Sequence, residues 1–219
     1  MNRKITKALH DFCVETFGHP PDETMMIPMV QDLDSKVLGA YFGDKGEWNP
    51  RNKNFGPSGK EAITKAVNAL EPKRVLDIGC GRNLLKDSIP GLYGIDAHHP
   101  NADEVVDIMD FMPEEEYDVV LILGSINFGS EDEIYYKMLK ATSMCKIGGH
   151  MFLRVNPGLT HNRAGAEWID FYEWSPEKLA QAATSCNCEM VELQQDRWRD
   201  TADGKRYYAH WIRRGDIEI

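Results

Sequence analysis

Apolar positions along the chain follow two periods. In residues 3–17, Ile5, Leu9, Phe12, Cys13 and Phe17 fall on one helical face, which predicts an amphipathic helix stopped by Gly18-His19-Pro20-Pro21 and packed on the core. Residues 22–42 carry Met25, Met26, Ile27, Met29 and Val30 around Pro28, with a short helix expected over 35–42. These methionines either cover core or make a pliable wall for an apolar substrate. Residues 43–59 hold four glycines, two prolines and three asparagines around Trp48 and Phe55, which predicts a long loop, either a lid or an inert surface segment. Ser58-Gly59-Lys60-Glu61 has the form of a capping box for a helix to about residue 70.

Beyond that point short apolar runs bounded by Gly, Pro and Asp alternate with helical segments. Strands are expected at 74–78, 91–96, 104–107, 117–123, 150–155, 190–193 and 206–213. Helices are expected at 82–88, as a short one, at 130–146, and after Ser175-Pro176-Glu177, where a cap, a first-turn proline and an acidic residue coincide. Such alternation predicts an α/β domain with a mostly parallel sheet. Residues 97–103 are too few for the usual crossover helix between parallel neighbours, so the helical layer is trimmed on one side. Asp203-Gly204 predicts a hairpin joining the last two strands. In the final run, Tyr207, Ala209 and Trp211 share one face and Tyr208, His210 and Ile212 the other, making His210 a packed structural residue rather than a ligand.

At 219 residues and 42% hydrophobic content the chain holds one sizeable core. No apolar run approaches the ~18 residues of a membrane span, and the charged residues 1–7 lack a signal peptide's apolar region, so a cytoplasmic location is expected. Five cysteines without a Cys-x-x-Cys pair indicate neither a disulfide framework nor a metal site, and Cys186 and Cys188 are expected to be reduced. A formal net charge of −10 disfavours a broad nucleic-acid-binding surface.

The stretch that carries chemistry is Val75-Leu76-Asp77-Ile78-Gly79-Cys80-Gly81-Arg82-Asn83, a buried strand running into a glycine turn. Glycine at 79 and 81 permits a sharp turn and lets a ligand approach the main chain. A dinucleotide fingerprint needs a third Gly or Ala where this chain has Leu84, and an apolar residue where it has Asp77. A carboxylate there repels a pyrophosphate and suits a ligand with an ammonium group.

This stretch resembles the first motif of class I S-adenosylmethionine-dependent methyltransferases, an acidic residue followed by Gly-x-Gly. The resemblance covers residues 58–213 and implies a Rossmann-like three-layer sandwich: a mostly parallel seven-stranded sheet with an antiparallel last strand. Residues 1–57 form a helical cap and lid segment, and 58–219 the methyltransferase-like domain. It implies S-adenosylmethionine as cofactor, with Gly79, Cys80 and Gly81 under its methionine part and Asp77 orienting the turn and the amino group. Asp96 and Ala97 follow the second strand, where a carboxylate accepts from both ribose hydroxyls. Asp107 and Ile108 fall beside the adenine, with Asp110 competing for that role. Gly124 ends the fourth strand.

Residues 124–129, Gly-Ser-Ile-Asn-Phe-Gly, replace both the Asp/Asn-Pro-Pro-aromatic motif of DNA amino-methyltransferases and the Pro-Cys of cytosine C5 enzymes. Asn127 either orients the substrate or bonds the turn backbone. His161, in the connection over 156–174, is either a general base or a solvated loop residue. These two are the catalytic candidates. The function implied is methyl transfer to a small-molecule acceptor. Nucleic acid or protein as acceptor, and a non-catalytic cofactor-binding regulator or assembly protein, stand as alternatives.

Overall fold

The computed structural model describes residues 1–44, 46, 57–157, 166–195 and 206–217, and for 57–60 the backbone alone. Two helices come first, α1 (Arg3–Phe17) and α2 (Glu23–Phe42), then α3 (Pro57–Asn68). Strands β1 (Val75–Ile78), β2 (Leu92–Asp96), β3 (Glu104–Val105) and β4 (Tyr117–Ile122) lead to α4 (Glu131–Ser143) and β5 (Cys145–Val155). The chain ends with α5 (Pro176–Ser185), β6 (Cys188–Gln195) and β7 (Tyr207–Arg213). The sheet order is β3-β2-β1-β4-β5-β7-β6. β1 to β5 pair in parallel, whereas β7 is antiparallel to both neighbours, β5 and β6.

Every residue of β1 is buried because both faces of the sheet are covered. On one face Leu76, Val120, Met151, Leu153 and Trp211 pack against Ile134 and Met138 of α4 and Leu179 of α5. On the other, Val75, Leu92, Val119 and Leu121 meet Ile63 and Val67 of α3 together with Leu85 and Ile89. Buried Arg213, at the end of β7, bonds the carbonyls of Thr142 and Ser143 at 3.3 Å and pairs with Glu116 at 3.0 Å, tying the antiparallel strand to the α4–β5 junction.

Several elements differ from the pattern-based expectation. Residues 22–42 form one 20-residue helix: Asp22 caps it, and exposed Pro28, six residues in, removes a single amide from the first turns. Residues 81–88 make hydrogen-bonded turns rather than a helix, because Gly81 and Asn83 both take left-handed backbone (φ 54). Helix α3 starts at Pro57, so Ser58 lies inside its first turn rather than ahead of it. Strand β5 begins at Cys145, with Gly148-Gly149 inside it, and the β4–β5 register shifts between Tyr117 and Val119 to accommodate them. As expected, no helix joins β2 to β3. The expected hairpin turn at Asp203-Gly204 lies outside the described residues.

The two N-terminal helices sit over the carboxyl ends of the strands. Asn2, 2% exposed, caps α1 and donates to Asp34 of α2 and to the carbonyl of Trp168. Arg3 grips buried Asp170 with two bonds of 2.9 Å. Tyr41 at the end of α2 packs with Ala166, Ile169 and Phe171.

Candidate functional site

The site grows out of the turn after β1. Gly79 has φ 69, and a Cβ built there would lie 2.2 Å from that of Ser125, so both the backbone and the packing exclude a side chain. The Gly79 and Cys80 amides donate to the carbonyl of Ile95, lacing the turn to β2. At Gly81 (φ 54) an added Cβ would meet nothing within 4 Å. Gly94 in β2 lets the turn lie flat: a Cβ there would stand 2.7 Å from Asn83 Oδ1 and 2.8 Å from Cys80 Sγ.

Asp96 gathers the turn from the other side. One carboxylate oxygen accepts from the Gly81 amide at 2.9 Å, the other from the His98 and His99 amides at 2.8 and 2.9 Å. Asp77 contrasts with it. Its carboxylate is 4% exposed and meets no hydrogen-bond donor or cation among the described residues. Burial, and then the neighbouring charge of Asp96, push its pKa up to about 7.

These groups line one cleft of about 230 Å³ at the carboxyl ends of the strands, the position where open α/β sheets take ligands. Asp77, Gly79, Cys80, Gly81, Asp96, Ala97, Asp107, Ile108 and Gly124 all contribute to its wall. Asp107 accepts the Met109 amide at 2.9 Å and lines the cleft; its competitor Asp110 does not. Helix α2 adds Leu38 and Phe42 as a roof, close enough at Gly39 that a Cβ built there would stand 3.4 Å from His98 Nδ1. Past Gly124 the wall becomes aromatic and basic, with Phe128, Phe171, Tyr208, Lys137, Arg154 and Arg206.

No protein-family model and no curated protein matches the sequence. Solved structures do match the fold. The N-methyltransferase NodS of Bradyrhizobium japonicum WM9 in complex with S-adenosyl-L-homocysteine superposes at TM-score 0.61, with 14% identity over 82% of this chain and 97% of its own. The 1,6-didemethyltoxoflavin-N1-methyltransferase of Burkholderia thailandensis, with bound 1,6-didemethyltoxoflavin and S-adenosylhomocysteine, gives 0.63 at 14% identity over 90% and 92%. Magnesium protoporphyrin IX methyltransferase of Synechocystis PCC 6803 with bound S-adenosylmethionine gives 0.58 at 12% identity over 95% and 97%. The fold is that of class I S-adenosylmethionine-dependent methyltransferases.

In this methyltransferase fold the residues present fit such a cofactor. The open space at Gly81 admits a ligand against the main chain, and the unpaired Asp77 carboxylate suits an ammonium.

The two catalytic candidates fare differently. Asn127 is 1% exposed and absent from the cleft wall: its Oδ1 accepts the Asn156 amide at 2.9 Å, and its backbone carbonyl accepts the Tyr172 amide. Its Nδ2 is buried without a partner among the described residues. The backbone its side chain bonds is thus that of Asn156, after β5, rather than that of its own turn. His161, like Trp48 and Phe55, lies outside the described residues. What sequence reasoning missed is the far wall. Arg154 interrupts an otherwise apolar strand end, a signal that was available, whereas Lys137 and Asn156 carry none. His210 is packed as expected, its Nε2 2.8 Å from His150 Nδ1 and its ring stacked on Phe152.

Proposed function

We propose that the chain transfers a methyl group from S-adenosylmethionine to a small-molecule acceptor. The observation that carries this reading is Asp77, a carboxylate nine-tenths buried with no counter-charge among the described residues, beside a turn whose second glycine opens on the cleft. A lone buried anion is unfavourable, and a cationic ligand relieves it. When bound, S-adenosylmethionine supplies a methyl group already activated on a sulfonium.

The chain's own part is to bind, orient and exclude water. On this reading Asp77 takes the ammonium, and Gly79, Cys80 and Gly81 pass under the methionine part. Asp96, with lone pairs left over from its three backbone bonds, accepts from the ribose. Asp107 and Ile108, with Ala97 and Gly124, enclose the adenosine, and Phe42, Phe128 and Phe171 close the acceptor end. Asn127 acts through the backbone of Asn156 as a positioning residue. His161 is the proposed general base where the acceptor must lose a proton. Alignment of an activated methyl group supplies much of the rate in such a transfer. A small acceptor agrees with a solved methyltransferase of the same fold that holds 1,6-didemethyltoxoflavin, and with the net charge of −10, which opposes polyanions.

Incubation with methyl-labelled S-adenosylmethionine and a cell extract tests the proposal. Label should pass into the acid-soluble small-molecule fraction and fail to do so with Asp77→Asn. Label recovered in RNA, DNA or protein would assign a macromolecular acceptor instead. Cofactor binding with no label transferred to any fraction would leave a non-catalytic binder.

A further inference from the structure

The cleft is electrically polarised. Its cofactor end carries Asp77, Asp96 and Asp107 with one cation, Arg82 of the glycine turn; its far end carries Lys137, Arg154 and Arg206 and no carboxylate among the described residues. A basic end is unexpected in a chain of net charge −10. Lys137 is half-buried on α4, its backbone fixed by buried Ile134 and Met138, and it makes no ion pair or hydrogen bond with any described residue. Asn156, 9% exposed, also lines this end. Its backbone is fully engaged, the amide by Asn127 Oδ1 and the carbonyl by the Trp174 amide, yet its side-chain carboxamide has no partner among the described residues.

A cleft-facing carboxamide and a part-buried ammonium, both without partners among the described residues, each have hydrogen-bonding capacity open to a ligand. One kind of ligand group suits both: an anionic oxygen, which accepts from an ammonium and from a carboxamide N–H alike. Beside them Phe42, Phe128 and Phe171 run in a continuous wall, with ring centroids 4.9 and 5.4 Å apart in turn. Such a wall suits a planar apolar body.

We propose that the acceptor is a planar, largely apolar small molecule bearing an anionic oxygen, a carboxylate or a phosphate, which Lys137 and Asn156 hold. This inference rests on the methyl-transfer reading and assigns the chemistry of its acceptor. The anion sits at the basic end, while the acidic end takes the positively charged cofactor, so the polarity fixes which way the acceptor enters and excludes a cationic amine from the far end by charge.

The test uses the full chain saturated with S-adenosylhomocysteine and four probes read by fluorine NMR line broadening: para-trifluoromethylbenzoate, para-trifluoromethylphenyl phosphate, para-trifluoromethylbenzamide and para-trifluoromethylbenzylamine. At least one anion should bind about tenfold more tightly than the amide and the amine, the preference expected of a charge-assisted bond. Lys137→Ala and Asn156→Ala should each remove about tenfold of anion affinity, and Lys137→Arg should restore most of it. Calorimetry on the same variants should show S-adenosylhomocysteine affinity unchanged. Amide or amine binding equal to the anions, anion binding that survives both substitutions, or no anion binding at all would overturn the inference. Failure of S-adenosylhomocysteine to bind the wild type would instead sink the methyl-transfer reading itself.

Discussion

Asp77 and Asp96 stand one strand apart and are treated in opposite ways. Asp96 is satisfied by three backbone amides, while Asp77 is buried with none and its pKa rises to about 7. A raised carboxyl pKa stabilises the fold fully below the unfolded value of 3.8, and that contribution is lost as pH climbs through about 7. Ionised Asp77 therefore leaves the cofactor-free protein less stable at pH 8 than at acid pH. Asp77→Asn should raise urea-unfolding stability at pH 8 while weakening cofactor binding about tenfold or more. Wild-type affinity for the cofactor should rise with pH up to about 7 and then level off, and the variant should lose that dependence. Gly79 and Gly81 separate in the same manner. Gly79→Ala meets Ser125 and should lower stability by a few kcal/mol in urea unfolding. Gly81→Ala should fold with only ~1 kcal/mol of backbone strain and lose cofactor affinity, because its methyl enters the cleft. This end of the site was legible in the sequence because strand, turn and carboxylate are contiguous. Asn127 and Asn156 were not separable there, since a bond across 29 positions decides which of the two faces the cleft.

At the scale of elements, strands announced themselves through apolar runs, and α4 and α5 through their caps. Helix α2 was only half legible. Pro28 signals a break, but near an exposed helix start it removes one hydrogen bond and leaves the remaining turns intact. That continuity carries Leu38 and Phe42 over the cleft. The segment 81–88 erred the other way, as its spacing suits a helix while two left-handed residues bend it into turns that bury Leu85 and Ile89. The N-terminal helices are held by polar contacts between distant segments as well as by the Tyr41 cluster, and no local pattern shows either. Burial alone would raise the Asp170 pKa, but the bonds from Arg3 outweigh it and hold the carboxyl below its ordinary value. This contribution is present above the unfolded pKa of 3.8 and is lost as pH falls below it. Arg3→Ala should therefore lower stability at neutral pH by about 1–3 kcal/mol and flatten its decline in acid, as followed by urea unfolding across pH.

At the scale of the whole molecule, the sheet order places most of the charged groups of the cleft at strand ends, with Lys137 of α4 beside them. Acidic groups come from the β1, β2 and β3 ends, with Arg82 of the β1 turn the one cation among them; the other basic groups come from α4, β5 and the start of β7. The central claim is that the acidic half is built for S-adenosylmethionine rather than for a dinucleotide. Isothermal titration calorimetry of the wild-type protein at pH 8, with S-adenosylhomocysteine in one series and NAD in another, tests it directly. The account predicts a micromolar dissociation constant for S-adenosylhomocysteine, about −8 kcal/mol, and NAD binding weaker by about a hundredfold or more, since Asp77 repels its pyrophosphate. Preference for NAD, or equal affinity for the two, would contradict it.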